Sequence, residues 1–543
     1  MPLYTPGAPA DAALFSVKTY GALGDGQYVT DGAMASGSTT FTSASASFTS
    51  ADAGKAFMVK GGGASGVTTL VTTIQTVNSS TSVTLAAANA SGGAISGKLA
   101  LWATDDTASI QSAINAAITY ANAHGSARVF LPPGSGRFYG VAGALVTGGS
   151  TLGNAQLTLG APVATTANKA ILTIEGETSG AGVQHWQQLN QQLGGSTIVS
   201  FGVFASSAAQ TASINANGNP CVIGGPAQPG GYGVNPGVFS NMSVTLRNLS
   251  IVTTHSSSGL TYSAFDFSGI ANAGLENFAY GTNGVVASND YGSPSGFANG
   301  LSVGGLMPAN GNNDLCMVNN VTCHGGYTYG FFATEHSVIN RMAILYCWSA
   351  YCPVGTYFSS VGATHGMWAN QLSIEGCTNE VYIIGTGSSG TGPFINIDQL
   401  DTETSSPTFA DNNSGAGLAA ALGTIRLTGL YAAASISASG PTGLKIIDGQ
   451  KPYPVIKKAG NYTVTIADQT LMVDASSGAV TITLISAANT PNTYTVKKID
   501  SSANTVTVAT TGGQTIDGAS TSVISSQWGK VTVAPFNGNW YTV

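Results

Sequence analysis

The sequence predicts an all-β fold built mainly on a solenoid of short strands. Four segments within residues 240–430 end in Cys323, Cys347, Cys377 and Leu400, and these residues lie 24, 30 and 23 positions apart. A repeat of roughly 20–30 residues with apolar positions in register is typical of solenoids. The segments are short, β-branched and separated by Gly, Asn and Ser, which favours strands over helices. A C-terminal tail of alternating apolar and polar residues predicts a further β domain.

The register of the four segments makes a specific prediction about neighbouring side chains. Matched residues of stacked strands lie about 4.8 Å apart. We expect one inward ladder of Ile344, Ile374 and Ile397, and a second ladder of Cys323, Cys347, Cys377 and Leu400. The same register makes Glu375 and Asp398 outward-facing neighbours, with Asp401 and Glu403 close behind. Two interpretations stand side by side: a solvated acidic edge, and the acid and base pair of a glycosidase.

Composition limits the partners. Charged residues make up only 8% of the chain, but its 43% hydrophobic content argues against a disordered protein. A formal net charge of −7 argues against a nucleic-acid partner. Between residues 170 and 444, thirteen acids face three arginines, so an anionic polymer would be repelled there unless a cation intervened.

The cysteines and the N-terminus predict where the chain folds. Several of the six cysteines occupy expected inward positions, which favours free thiols and folding in a reducing cytoplasm; a Cys347–Cys352 pair is the alternative. The spacings of Cys and His indicate no structural metal site, and we expect no cofactor. We expect a loose arm over residues 1–14, no signal peptide and no membrane span.

Two separated motifs carry a family resemblance. The first reads Val17-x-x-Tyr20-Gly21-Ala22-x-Gly24-Asp25-Gly26, and the second, Thr104 to Ile114, reads TDDTASIQSAI. With the strand Arg128–Leu131 and its Pro-Pro-Gly ending, they resemble the opening motif of pectate-lyase-like right-handed parallel β-helices. Thr104 or Asp105 is expected to cap a helix that covers the open end of the solenoid. Asp25, Asp105 and Asp106 then act as turn and cap residues rather than as catalysts or cation ligands.

The domain boundaries follow from these motifs. Residues 15–134 hold the opening motif and cap, interrupted by a β subdomain over about 27–103 that serves trimer contact, virion attachment or ligand contact. Residues 135–440 form the predicted β-helix, and residues 441–543 form an antiparallel β domain for trimerisation or carbohydrate binding. The last domain resembles the C-terminal β domain of phage tail fibres and tailspikes, including its Asn537-Gly538-Asn539-Trp540-Tyr541 ending.

Aromatic and amide residues are candidates for sugar contact, because ring faces stack on sugar C–H groups and amides bind hydroxyls. Packing on the solenoid is the alternative for each of them. The candidates are Trp186 in an amide-rich loop, and Tyr346, Trp348, Trp368 and His336 further along. We also expect stacked amides among Asn319, Asn320, Asn340 and Asn370.

Taken together, the motifs resemble a bacteriophage tailspike. This resemblance implies a homotrimer of right-handed parallel β-helices in the virion tail, synthesised in the host bacterial cytoplasm. It also implies a protein that binds and cleaves a bacterial surface polysaccharide, whether capsule, O-antigen or exopolysaccharide. Other tail proteins are further candidate partners, whereas nucleic acid and membranes are not expected.

For the chemistry, the acid-rich stretch over residues 170–444, which contains no lysine, favours hydrolysis over β-elimination. Hydrolysis needs only two carboxyl groups, one protonated and one ionised. The candidates, in order, are Asp398, Glu375, Asp401, Glu403 and Glu335. Two alternatives remain: a receptor-binding fibre without enzymatic activity, and a polysaccharide lyase.

Overall fold

The computed structural model describes most of the chain, with gaps. It covers residues 13–66, 69–142, 155–159, 170–177, 196–201, 221–224, 240–253, 263–266, 270–282, 299–303, 315–324, 329–333, 336–345, 354–360, 366–375, 379–385, 394–402, 408–411, 422–427, 437–438, 443–448, 455–465, 468–490 and 492–543. Two compact units are formed: Met1–Ser359 with Leu372–Tyr382, and Ser360–Gln371 with Ile383–Val543.

The inserted segment is a closed antiparallel barrel, in which the strands Gln27–Met34, Thr40–Thr42, Ser82–Leu85, Leu70–Ser79, Ala56–Val59 and Ile95–Ala103 are neighbours in that order. Phe41 and Phe57 are fully buried in its core, with ring centroids 4.9 Å apart. The first strands are β1 (Ala13–Ser16), β2 (Gln27–Met34), β3 (Thr40–Thr42), β4 (Ala56–Val59), β5 (Leu70–Ser79), β6 (Ser82–Leu85) and β7 (Ile95–Ala103). Short 3₁₀ helices span Val17–Tyr20, Ser50–Asp52 and Ala64–Gly66.

The two halves of the opening motif meet in space. The buried Asp106 carboxylate accepts hydrogen bonds from the backbone N–H of Leu23 (2.7 Å) and of Gly24 (2.9 Å). Asp25 accepts from the backbone N–H of Thr104 (2.9 Å) and pairs with Lys55 (2.7 Å). These aspartates therefore hold the turn and the start of the helix together, as the turn interpretation expects.

Helix α1 (Thr107–His124) buries one apolar face and packs against β1 and the following strand. The predicted cap was wrong by one or two residues, because the N-cap position is Asp106 rather than Thr104 or Asp105. Asp105 still accepts a hydrogen bond from the backbone N–H of Thr107 (3.0 Å), which satisfies a donor that the first helical turn leaves open. Among the described residues, no helix is long and apolar enough to cross a membrane.

After α1 the chain is a succession of short strands. They are β8 (Ser126–Leu131), β9 (Tyr139–Val141), β10 (Ala155–Thr158), β11 (Ile171–Gly176), β12 (Thr197–Ser200), β13 (Cys221–Gly224), β14 (Ser240–Arg247), β15 (Ser250–Thr253), β16 (Ser263–Asp266), β17 (Ile270–Thr282), β18 (Asn299–Val303), β19 (Leu315–His324), β20 (Tyr329–Ala333), β21 (His336–Ile339), β22 (Met342–Leu345), β23 (Val354–Ser360), β24 (Gly366–Ala369), β25 (Leu372–Glu375), β26 (Asn379–Gly385), β27 (Phe394–Thr402), β28 (Thr408–Asp411), β29 (Leu422–Leu427), β30 (Ser437–Ala438) and β31 (Gly443–Asp448).

These strands pair in parallel with the strand one repeat later. In the first unit β8, β11, β14, β17, β19 and β21 form one ladder, and β10, β13, β16, β18, β20 and β23 form another. In the second unit β24, β27, β29 and β31 continue the pattern. A column of buried apolar residues runs through the first ladder: Val129, Ile174, Leu246, Leu275 and Val318. The molecule is thus predominantly β with parallel sheets, which confirms the all-β prediction at that level.

The register predicted for the ladders is correct at one place and wrong at two. Ile344 does pair with Ile374. Ile397 instead lies between Ala369 and Ile425, and Cys323 pairs with Ile344 rather than with Cys347. The error arises because a repeat contains two strands joined by a turn. An Ile-x-x-Cys pattern fits either strand of a repeat, so the pattern alone does not identify the strand to which it belongs.

An asparagine ladder marks that turn. Asn277 donates a side-chain hydrogen bond to Asn248 (3.1 Å), and Asn320 donates to Asn277 (2.8 Å). All three residues have left-handed backbones, with φ of 54°, 46° and 53° in chain order. Beside them, Asn340 donates to Asn319 (2.9 Å). The expected amide stacking is confirmed for Asn319, Asn320 and Asn340; Asn370 precedes β25 in the same turn position.

Substitution of Asn277 tests this ladder. We expect Asn277→Ala to lower the free energy of unfolding by about 2–4 kcal/mol, because two amide hydrogen bonds are lost and alanine is strained at positive φ. Asn277→Gly should cost only about 1–2 kcal/mol, because glycine tolerates that backbone. Denaturant unfolding of both variants measures the difference. If alanine proves the milder change, as within an ordinary strand, the left-handed turn is not what constrains this position.

The C-terminal part has two sheets around one apolar core. Its strands are β32 (Val455–Lys458), β33 (Tyr462–Thr463), β34 (Thr470–Val473), β35 (Val480–Thr483), β36 (Tyr494–Lys498), β37 (Val506–Ala509), β38 (Thr521–Ile524), β39 (Lys530–Phe536) and β40 (Asn539–Thr542), with a 3₁₀ turn at Ala487–Asn489. The predicted antiparallel domain was wrong for its first half, because β32–β34–β36 and β33–β35–β37 pair in parallel and only the last pairs are antiparallel. Alternating apolar residues are usual for antiparallel sheets. Here parallel strands carry the same pattern because one face of each sheet is exposed.

Candidate functional site

The outward face of β24 and β27 brings together a predicted sugar-binding residue and the leading catalytic candidate. Trp368 on β24 pairs with Asn396 on β27. Ile397 is fully buried, so Asn396 and Asp398 project from the opposite face of the strand. Trp368 is 39% exposed and Asp398 is exposed. From strand spacing, the backbones of Trp368 and Asp398 lie roughly 8 Å apart, so one saccharide chain can contact both.

A β-bulge exposes Asp398. Ile397 pairs with Ile425 and Leu400 pairs with Leu427, so two residues of β27, Asp398 and Gln399, oppose one residue of β29. Both residues of the bulge are exposed, between the fully buried Ile397 and Leu400. Bulges re-aim side chains and are over-represented beside active sites. Here the bulge places a carboxylate and an amide on the surface side by side.

Chemically, this face combines an aromatic ring, two amides and a carboxylate. A tryptophan ring presents an apolar face to sugar C–H groups, while Asn396 and Gln399 offer donors and acceptors for hydroxyls. Sequence reasoning missed Asn396 and Gln399. Alternation of buried and exposed residues around Ile397 is the sequence signal for both. It places Gln399 on the outward face only once the bulge is known.

The predicted pairing of Asp398 with Glu375 does not occur as a ladder contact. Glu375 pairs with Leu345, whereas the residue before Asp398 lies between Ala369 and Ile425. Asp401 lies three residues beyond Asp398 on β27, and His336 opens β21 opposite Leu315. The remaining candidates, Glu335, Glu403, Tyr346, Trp348 and Trp186, lie outside the described residues.

The buried acids in the described part, unlike the exposed Asp398, pair with cations or accept hydrogen bonds from backbone N–H groups. Glu175 lies between Arg128 and Arg247, and Asp52 pairs with Lys55 at 2.8 Å. Burial alone would raise the pKa of Asp25, but hydrogen bonds from Lys55 and Thr104 lower it below its usual value. Among the residues described, no group of three His, Cys, Asp or Glu side chains is arranged to hold a metal ion.

Comparison with known proteins gives no family. No protein-family model matches the chain, and no curated protein matches it. One solved structure, "Crystal structure of PfbA, a surface adhesin of Streptococcus pneumoniae", aligns over 81% of this chain and 95% of that chain, with 11% identity and a TM-score of 0.32.

Proposed function

We propose that this protein is a bacteriophage tailspike that binds a bacterial surface polysaccharide and hydrolyses it, with the β24–β27 face as its site. The observation that carries the proposal is the exposed Asp398 at a β-bulge, on the same face as the half-exposed Trp368. The parallel ladders and the opening motif support a right-handed parallel β-helix, and the sequence resemblance supports a homotrimer in the virion tail.

The chemistry that we assign to this face is acid and base catalysis by Asp398 with a second carboxyl group, for which Asp401, three residues further along β27, is the nearest candidate in the chain. One carboxyl group protonates the glycosidic oxygen, and the other takes a proton from the water that attacks the anomeric carbon. Trp368 and the two amides hold the chain.

The test is release of reducing ends from surface polysaccharides of a bacterial panel, measured beside binding to the same polymers. We expect the native protein to do both with at least one strain. Trp368→Ala should weaken binding by about 1–3 kcal/mol, roughly 5- to 150-fold, because a stacking face is lost. Phe536→Ala, which removes an exposed aromatic ring elsewhere in the same unit, is the matched control.

Other outcomes would contradict the proposal. Binding without release from any strain would favour a receptor-binding fibre that lacks enzymatic activity. Release of unsaturated, ultraviolet-absorbing ends would identify a lyase. Equal binding by the native protein and Trp368→Ala would remove the β24–β27 face from sugar recognition.

A further inference from the structure

The outer face of the five-stranded C-terminal sheet carries two lysines directly opposite each other. Lys497 on β36 is the register partner of Lys530 on β39. Val496 and Lys498, which flank Lys497 on β36, are buried on the inner face. Lys497 and its partner Lys530 therefore share the outer face. Directly opposed side chains have Cβ atoms about 4.5–5.5 Å apart, and like charges in that position destabilise a sheet.

Nearby acids do not neutralise the two lysines. Each aspartate among residues 455–543 that the structure describes already has other partners. Lys457 binds Asp474 at 2.9 Å and lowers its pKa to about 2. The other three pair elsewhere: Asp468 with Thr465, Asp500 with Lys498 and Asp517 with Thr542. Lys497 and Lys530 therefore present two positive charges that an anion from outside the chain can meet.

Trp528 stands beside this pair and is unusual in two ways. It is 60% exposed, with the Lys497 ammonium 5.7 Å from its ring centroid. It also has φ of 66° at the third position of a turn that Gly529 closes by donating to the Ser526 carbonyl (3.1 Å). Glycine is the usual residue there, because a bulky side chain at positive φ is strained. Strained positions are concentrated at binding sites.

We propose that Trp528, Lys497 and Lys530 form a binding site for an acidic sugar residue, a uronate within a polysaccharide. The carboxylate lies between the two ammonium groups, and the sugar ring packs on the indole face. Charge disfavours a second copy of this chain as the occupant, since a symmetric contact would bring lysines onto lysines. The site lies apart from Asp398 in the chain and does not depend on cleavage there.

The test uses the full chain and three uronate polymers: polygalacturonate, alginate and hyaluronan. We expect binding to at least one of them, weakened by salt because exposed charges are screened. Lys497→Ala and Lys530→Ala should each weaken it about 10-fold or more, as for loss of a charge-assisted hydrogen bond. Lys457→Ala is the matched control, because Lys457 lies in the same row of the sheet but already pairs with Asp474. Neutral dextran should not bind at this site.

Trp528→Gly separates binding from packing. It should abolish uronate binding and leave the melting temperature unchanged or a few degrees higher, because glycine relieves the strained backbone. A fall in melting temperature would mean that Trp528 serves the fold. Failure of all three polymers to bind at low salt would overturn the proposal, as would binding that survives loss of both lysines. Asp398→Asn should bind uronates normally, so failure of the proposed hydrolysis would not be confused with failure of this site.

Discussion

Asp398→Asn is expected to lower polysaccharide cleavage by about 10²–10⁴-fold while leaving binding of the same polymer intact. The amide keeps the size and most hydrogen bonds of the carboxyl group but cannot exchange a proton in the transition state. That loss corresponds to roughly 3–5 kcal/mol of transition-state stabilisation. Because Asp398 is exposed at a bulge, the substitution should not change the melting temperature. Initial rates of reducing-end release and a binding isotherm measure the two effects separately.

The matched control is Glu177→Gln, which also neutralises an exposed carboxylate and lies outside the proposed site. It should leave release unchanged. If Asp398→Asn releases reducing ends at the native rate, the protein is an enzyme but Asp398 is not its acid or base. Glu375 and Glu335 would then be the next candidates. A parallel loss of binding and cleavage would mean that Asp398 holds the substrate rather than acting on its bond.

The short parallel strands of this chain were predictable, but their register was not. Regular apolar positions predicted the parallel strands and the register pair Ile344–Ile374, because both depend on local alternation. Assigning Ile397 to the same column failed because Ala369 and Ile425 are its neighbours, and nothing in a single sequence fixes which of two adjoining strands a short apolar match represents. Glu375 was therefore paired with Asp398 on a register that does not exist.

The site was predictable as residue types but not as a surface. Trp368 and Asp398 were both chosen for their chemistry, and the structure places them on one face. The bulge that exposes Gln399 beside Asp398 has no sequence signature in this chain, because it arises from unequal lengths of β27 and β29 between two register pairs, Ile397–Ile425 and Leu400–Leu427. The role proposed for Trp528 was likewise not predictable from the sequence. Its positive φ and its place beside two opposed lysines depend on strands that are not adjacent in sequence.

A large effect on stability is expected at Glu175, which is 3% exposed and lies between two arginines. Arg247 is its strand neighbour on β14, and Arg247 Nε donates to it at 3.2 Å, while Arg128 donates from β8. Removing one member of a buried ion cluster leaves the others uncompensated and costs about 3–5 kcal/mol. We expect Glu175→Gln to cost about 3 kcal/mol, near the lower end, because the arginines keep 29% and 22% of their side-chain exposure.

Denaturant unfolding of Glu175→Gln beside Glu177→Gln measures this cost, since the second substitution makes the same chemical change two residues further on at an exposed position. The control should stay within about 0.5 kcal/mol of the native protein. A triple change, Arg128→Met with Glu175→Leu and Arg247→Met, should lower the free energy of unfolding less than Glu175→Gln alone. It removes all three charges, whereas Glu175→Gln leaves two arginines without their carboxylate. If the triple change is instead the more damaging, the arginine stems and their packing, rather than the charge balance at Glu175, hold these three strands together.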